Sequence, residues 1–266
     1  MTATIMPTQS GVGQKEKLAI IIPYRNRRKH LDELLPRLEA YCKNYEFKIF
    51  IIEQANSLPF NKGLLLNAGF IESEKFDYWA FNDVDYFPLD VDYSYQPGVT
   101  HLAYHVEEYD WKLAHNRFMG GVFLTDREGY MSINGFPNEY WGWGDEDNEI
   151  FDRYEMLGIP VQRRKGWYRS LKHDRYSHSG LERENSAYRK RLRERFEDNQ
   201  FIDGYANAKY IKVSERALSE NTVHVKVDFE INREIQTRKR SIIKNDVRFK
   251  LGSMKRRIFR KLKRKK

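Results

Sequence analysis

Two aspartates one residue apart close the aromatic run of WAFNDVDYFP, residues 79–88, just ahead of Pro88. On a β-strand, side chains at i and i+2 share a face, so the carboxylates of Asp83 and Asp85 would project together as the strand ends. Adjacent like charges repel unless a cation lies between them, and carboxylate oxygens suit a hard divalent ion. A solvated loop with two ordinary aspartates is the plain alternative. A second acidic group, Asp145, Glu146, Asp147, Asn148 and Glu149, follows Trp141 and Trp143 in WGWG. Acids at a helix start cap free N–H groups and favour the dipole, which accounts for most of them without chemistry. It does not account for the tryptophans, whose flat apolar faces are surfaces on which sugars stack.

The elements around these residues can be read from hydrophobic periodicity. KLAIIIPYRNR is a buried strand ending at Pro23 with a polar exit loop. Leu31, Leu34, Leu35, Leu38, Tyr41 and Cys42 recur at helical spacing, with Pro36 expected to kink the helix. FKIFIIEQ is a second strand, NKGLLLNAGFIESEK a helix and FDYWAFND a third strand. Such alternation predicts an α/β domain whose parallel sheet is covered by helices, with ligands bound beyond the carboxyl ends of the strands. PYRNR, EQAN and NDVD all fall there, so the aspartate pair should gather beside Arg25 and Arg27, a combination suited to a metal-bound phosphate ligand. No GxGxxG or GxxxxGK[ST] motif occurs, which argues against a dinucleotide fold or a P-loop. The later acidic group should open a helix with Ile150, Phe151, Tyr154 and Leu157 inward and Gly158 as its cap.

At 266 residues the chain is long enough for one full core. Its lone cysteine, Cys42, excludes an intramolecular disulfide framework and favours a reducing compartment. The first residues lack the basic start and apolar core of a signal peptide, and no apolar run approaches the ~20 residues of a membrane span. The net charge of +9 is concentrated from Arg238 to Lys266, where fifteen Lys or Arg face Asp246 alone; the body before it is mildly acidic. Met254, Ile258, Phe259 and Leu262 would line one side of a helix there, so this stretch is expected to lie on an anionic membrane surface. RNA is the rival ligand and a solvated tail the plain alternative.

In chain order, IIPYRNR, FNKGLLLNAGF, NDVDYFP, FMGGV, INGFPNEYWGWGDEDNEIF and DGYANAKYIKV resemble the motifs of the β-1,4-galactosyltransferase family, and the DVD region is most similar to its xylose-acceptor branch. The match runs from about Leu18 to about Val213. The resemblance implies a GT-A-like α/β single domain with a mostly parallel sheet flanked by helices, and with the charge pattern it divides the chain into a flexible stretch over 1–17, that domain over 18–237 and a basic amphipathic helical tail over 238–266. It implies manganese (Mn2+), a UDP-sugar donor and inverting transfer of galactose to a sugar hydroxyl of a glycan, in a β-1,4 linkage.

Position by position, the resemblance casts Asp85 and His173 as metal ligands, with Ser170 and Leu171 where the family has a further Met or His, leaving His178 or water to complete the shell. Pro23, Tyr24, Arg25, Arg27, Phe60, Lys62, Asp83 and Val84 match donor nucleotide contacts, and Lys62 stands where arginine is usual. Trp143, Gly144, Glu146 and Asn148 match acceptor-side positions, Asn148 replacing an aspartate, and Asp147 matches the catalytic base. Phe118 falls beside the donor C2 substituent, where a bulky ring favours galactose over N-acetylgalactosamine. A glycoside hydrolase would need two carboxyls placed across the bond and would leave the DVD and arginine loop without a purpose. The remaining alternatives are a UDP-N-acetylgalactosamine transferase and a non-catalytic glycan- or nucleic-acid-binding protein on the same scaffold. Without the amino-terminal anchor of the family's animal members, the chain is expected in the cytoplasm. There it would sit at the inner face of the membrane, building a surface polysaccharide on an acceptor that a lipid could carry, with nucleic acid not an expected partner.

Overall fold

The computed structural model describes residues 16–172, 181–194 and 203–229, which form one nine-stranded sheet with helices on both faces. In chain order the elements are β1 (Lys17–Tyr24), α1 (Arg28–Cys42), β2 (Glu46–Gln54), α2 (Lys62–Glu72), β3 (Tyr78–Asn82), β4 (Tyr86–Asp90), β5 (Val99–Val106), β6 (Val122–Asp126), α3 (Arg127–Ser132), α4 (Glu146–Met156), β7 (Val161–Ser170), α5 (Glu182–Glu194), β8 (Ile211–Ala217) and β9 (Thr222–Asp228). The strand order is β4-β7-β5-β6-β3-β1-β2-β9-β8. His173 and His178, the stretch before Glu16 and the basic stretch from Arg238 lie outside the described residues.

The first three strands and two helices form where the periodicity places them, and α1 runs unbroken through Pro36. β1 is buried on both faces: Ala19 and Ile21 enter one core with α2 and α4, while Leu18, Ile20 and Ile22 enter the other with α1. The sheet as a whole is mixed and not mostly parallel. β3-β1-β2-β9 is parallel and so is β5-β7, but β6 runs antiparallel to both β3 and β5, β4 to β7, and β8 to β9. The reason lies in the connections, since no α-helix crosses between β3 and β4 or between β5 and β6 to return the chain in the same direction.

Because β6 is antiparallel to its neighbours, β5 and β7 point the same way as β1 and β3, and their carboxyl ends reach one edge. His101 is level with Phe123 and therefore with Phe81, so β5 continues past the end of β3 as a wall along that edge.

Helix α2 presses against the sheet because Gly69 has no side chain: a Cβ there would lie 2.3 Å from Cγ2 of Ile21. Asn61 caps α2, accepting from the Leu64 N–H at 2.9 Å. Amides join α2 to the later INGFPN segment, Asn61 donating to Asn138 O at 2.7 Å and Asn67 to Phe136 O at 2.7 Å and Asn138 Oδ1 at 2.8 Å. Helix α4 is tied to the same segment by Arg153, which donates to the carbonyls of Ile133 at 3.0 Å and Gly135 at 3.1 Å and pairs with Glu149 at 2.6 Å. Ile150 and Tyr154 face inward as expected, whereas Leu157 is 42% exposed because the helix has already reached its cap and Gly158 turns the chain at φ 67°. Both members of the Arg153–Glu149 pair are buried, so deleting one leaves an uncompensated charge. Arg153→Met should therefore lower unfolding free energy by about 3–5 kcal/mol in urea denaturation. A loss below about 1 kcal/mol would mean the pair does not hold α4 to its loop.

Candidate active site

Lys62 is the first residue of α2, so the Asn61 cap fixes where its side chain begins. Its ammonium lies 2.9 Å from Oδ2 of Asp83, 2.9 Å from Oδ1 of Asp147 and 3.8 Å from Oε1 of Glu146. Burial opposes its charge, yet the Asp147, Asp83 and Glu146 carboxylates outweigh that and hold its pKa well above the ordinary lysine value. The acids are not balanced in return. Burial first, and then the charge of Asp147, pushes Glu146 up to about 8 against the pull of Lys62. Burial also raises Asp83, to about 7, with Lys62 lowering it and Asp147 and Asp85 adding to the rise.

Asp83 and Asp85 do not share a strand face. β3 stops at Asn82, and residues 83–85 form a turn closed by the Tyr86 N–H donating to Asp83 O at 3.1 Å. The turn is fastened to FMGGV, where the Asp83 N–H donates to Gly121 O at 2.9 Å and the Gly121 N–H to Asp83 Oδ2 at 3.3 Å. Both glycines are required by space. A Cβ on Gly121, which sits at φ 84°, would lie 2.3 Å from the Tyr86 ring, and one on Gly120 would lie 2.7 Å from the Phe118 ring and 3.1 Å from Asp147 Oδ2. His101, unremarked in the sequence, holds this backbone: its Nε2–H donates to Gly120 O at 2.9 Å. Burial, helped by the Arg163 charge, pushes the His101 pKa down to about 3, so the ring is neutral and suited to a structural hydrogen bond.

Of the residues expected at the donor, Pro23 and Tyr24 end β1 as buried residues, with the Tyr24 ring edge-on to His224. Arg25 is used by the fold: its guanidinium lies over the Phe60 ring and donates to the carbonyls of Asn56 and Leu58, shaping the loop after β2. Val84 packs into the α1-side core, so its backbone is what a ligand could meet. Arg27 differs, because its buried Nη1 has no hydrogen-bond partner among the described residues. A buried guanidinium N–H without an acceptor is costly, and a phosphate oxygen would satisfy it.

Among the described residues no three His, Cys, Asp or Glu side chains converge to hold a metal by themselves. The surroundings of Asp85 still fit a divalent ion, since an excess of buried carboxylate over ammonium surrounds the turn and favours a further cation. The Leu171 N–H donates to Asp85 O at 2.8 Å, so β7 leaves the sheet against Asp85 two residues before His173.

The acidic group and the tryptophans divide. Glu149 is structural, bonded to Arg153 and Tyr140, and Asp145 accepts from Ser186 at 2.6 Å and Arg189 at 3.2 Å. Asn148 donates to Asp145 at 3.2 Å. Glu146 and Asp147 alone of the group meet Lys62. Trp141 is not a sugar platform: it is 4% exposed and packs edge-on against Phe229, because Gly142 turns the chain and leaves only Trp143, 59% exposed, facing outward. Asn185 of α5 holds this turn, donating to the carbonyls of Trp141, Trp143 and Gly144 at 3.1–3.3 Å.

Comparison with known proteins gives this arrangement a family. Residues 5–97 match the N-terminal region of glycosyl transferase group 7, and residues 100–178 match a profile described as the N-terminal domain of galactosyltransferase. The chain belongs to the β-1,4-galactosyltransferase family. Relatives in that family include β-1,4-galactosyltransferase 2 of Cricetulus griseus, 37% identical over 62% of this chain and 47% of its own length, and β-1,4-galactosyltransferase 5 of Sus scrofa, 35% identical over 73% and 51%. The chain thus spans about half the length of these curated relatives. Among solved structures, a mutant of Drosophila β-1,4-galactosyltransferase 7 in complex with manganese, UDP-Gal and xylobiose has 27% identity and a TM-score of 0.65, covering 82% of this chain and 96% of its own. Mannosyl-3-phosphoglycerate synthase from Rubrobacter xylanophilus, 14% identical with a TM-score of 0.50 over 81% and 87%, shares the fold. These matches bear out the GT-A-like fold and the resemblance to the xylose-acceptor branch.

For a galactosyltransferase-family site the charge imbalance has a measurable sign. Glu146 binds its proton more tightly in the native state, so its contribution to stability is full below its ordinary value of 4.5 and is lost as pH rises through about 8. In metal-free protein, Glu146→Gln should flatten the fall in melting temperature between roughly pH 5 and pH 9. A variant whose melting temperature falls as steeply as the parent's would exclude Glu146 as a source of that loss.

Proposed function

We propose that this chain transfers galactose from UDP-galactose, with inversion, to a sugar hydroxyl of a glycan acceptor, and that it uses Mn2+. The observation that carries the reading is the single ammonium of Lys62, which spans the acid expected at the nucleotide, Asp83, and the acid expected at the acceptor, Asp147. The manganese, UDP-Gal and xylobiose complex of the Drosophila relative supports the same donor and cofactor and suggests xylosides as first acceptors to try.

In this reading a carboxylate oxygen of Asp147 takes the proton of the acceptor hydroxyl as that oxygen bonds to the sugar C1, while the bond from C1 to the diphosphate breaks and UDP departs. Asp85 would hold the metal together with His173. A bound divalent ion supplies positive charge for the leaving diphosphate. Arg27 would add a guanidinium N–H to the same anion, and Lys62, which pairs with both Asp147 and Asp83, would share its charge between base and nucleotide. Trp143 offers the exposed ring at the acceptor side. The basic stretch from Arg238 extends the proposal: with a lipid-carried acceptor, as in surface polysaccharide synthesis at the inner face of the membrane, it would hold the enzyme at an anionic surface.

Asp147→Asn should lower the transfer rate by at least about 100-fold while UDP affinity stays within about threefold, since the base acts on the acceptor. Turnover with Mn2+ and calorimetric UDP titration measure the two, and a variant keeping most of its rate would remove Asp147 as the base. Donor choice is tested at Phe118, whose ring packs over Gly120 beside Asp147. Phe118→Leu should raise use of UDP-N-acetylgalactosamine relative to UDP-galactose, and an unchanged donor ratio would show that the ring does not select the C2 substituent.

A further inference from the structure

The turn that carries Asp83 and Asp85 is held from the α1 side of the sheet by groups that the reaction as described does not use. Tyr78 and Ala80 enter the α1-side core, and Asn82, next on the same face of β3, is fully buried. A carboxamide in such a place costs free energy unless both its ends are bonded, a demand that an aliphatic side chain would not make. Both ends of Asn82 are bonded. Its Nδ2 donates to the carbonyls of Asp83 at 2.8 Å and Tyr86 at 3.4 Å, which stand at the two ends of the turn, and its Oδ1 accepts from the Tyr93 hydroxyl at 3.2 Å. Since carbonyls can only accept, the amide has one orientation.

The bonding continues into the core. Tyr93, between β4 and β5, accepts from the Tyr168 hydroxyl of β7 at 3.3 Å, and both residues are fully buried. Burial raises both phenols above their ordinary value, so each keeps a proton to give. The Tyr78 hydroxyl donates to Tyr93 O at 3.1 Å and fixes the backbone from which that ring starts. The order of donation is therefore set: Tyr168 to Tyr93, Tyr93 to Asn82, and Asn82 to the turn. Phenylalanines at 93 and 168 would fill the same space with no hydroxyl to satisfy.

This relay joins the two strands that lead to the expected metal ligands. Asp85 lies three residues beyond Asn82, and Tyr168 lies five residues ahead of His173. β7 meets the turn a second time where the Leu171 N–H donates to Asp85 O at 2.8 Å. The β4–β7 ladder that closes this corner is short and shifts register between Pro88 and Asp90. A side-chain strut from β7 to the end of β3 adds the constraint that such a ladder lacks.

We infer that Tyr93 is a positioning residue for the metal turn: with Tyr168 and Asn82 it holds the backbone of residues 83–86 in register with β7, so that the turn is set before a metal arrives. The inference rests on the metal-dependent transferase reading above, and it adds residues that act through the turn and not on the substrate.

The test uses the full chain with Mn2+ as the probe, alone and together with UDP. Free Mn2+ is read by its electron paramagnetic resonance signal, and amide exchange over residues 82–87 is read by hydrogen–deuterium mass spectrometry on metal-free protein. Tyr93→Phe should weaken Mn2+ binding roughly tenfold and raise the Mn2+ concentration for half-maximal transfer alike, with kcat at saturating Mn2+ within about twofold of the parent. The Asp83 and Tyr86 amides are bonded to Gly121 O and Asp83 O, and their segment should exchange at least about fivefold faster in the variant. Ser73→Ala is the control: Ser73 is buried and accepts from Trp79 Nε1–H at 2.8 Å near the start of β3, so its loss should lower the melting temperature and move neither readout. If Tyr93→Phe does not fold, Tyr168→Phe, which leaves Tyr93 on Asn82, carries the test with a loss of about threefold. Unchanged Mn2+ affinity and exchange, or equal losses in Ser73→Ala, would overturn the relay. A parent that binds no Mn2+ would sink the metal reading instead, and exchange of the turn would then decide the relay alone.

Discussion

One buried ammonium has three carboxylates to answer. Lys62 reaches Asp83, Asp147 and Glu146 because its charge is compact and its donors point in three directions. Since the side chain starts at the capped first residue of α2, its reach is set by the helix and not by a loop. Three carboxylates face this one ammonium, and burial, with the neighbouring carboxylates, raises Glu146 and Asp83 against its pull. An excess of carboxylate over ammonium at the edge where the strands end favours a cation, and with it an anionic, metal-bound ligand, at the same place.

Much of the surrounding machinery keeps that geometry without touching a substrate. Asn61, Asn67 and Asn138 exchange buried hydrogen bonds between α2 and the INGFPN segment, and Arg153 with Glu149 fixes α4 to the same segment. The two helices carrying Lys62 and Asp147 thereby share one anchor. A third constraint comes from the sheet side, where neutral His101 holds Gly120 and the missing side chains of Gly120 and Gly121 let Asp147 and Tyr86 close in. Amides and a neutral ring suit this work because they bring no further charge into a centre already out of balance.

The antiparallel strands also have a consequence for the site. With β6 reversed between β3 and β5, the β5-β7 pair can run on past the end of β3, and the stacked rings of His105 and Trp167 sit on that overhang. A uniformly parallel sheet closed by helices would end its strands more nearly level and would cover this surface.

The sequence determined the parts whose cause is local. Continuous apolar runs and helical spacing specify β1 to β3, α1 and α2, and the DVD turn, the FMGGV glycines and the acids before α4 are visible as types in order, because periodicity and backbone freedom depend on neighbours along the chain. Tertiary structure decided the rest. It alone separated Glu146 and Asp147 from Asp145 and Glu149, sent Trp141 inward and Trp143 outward, gave Arg25 to the loop after β2, and reversed β6. It also brought Lys62 to Asp147, eighty-five positions away. Those outcomes turn on desolvation and on partners distant in the chain, and neither quantity exists until the chain has folded.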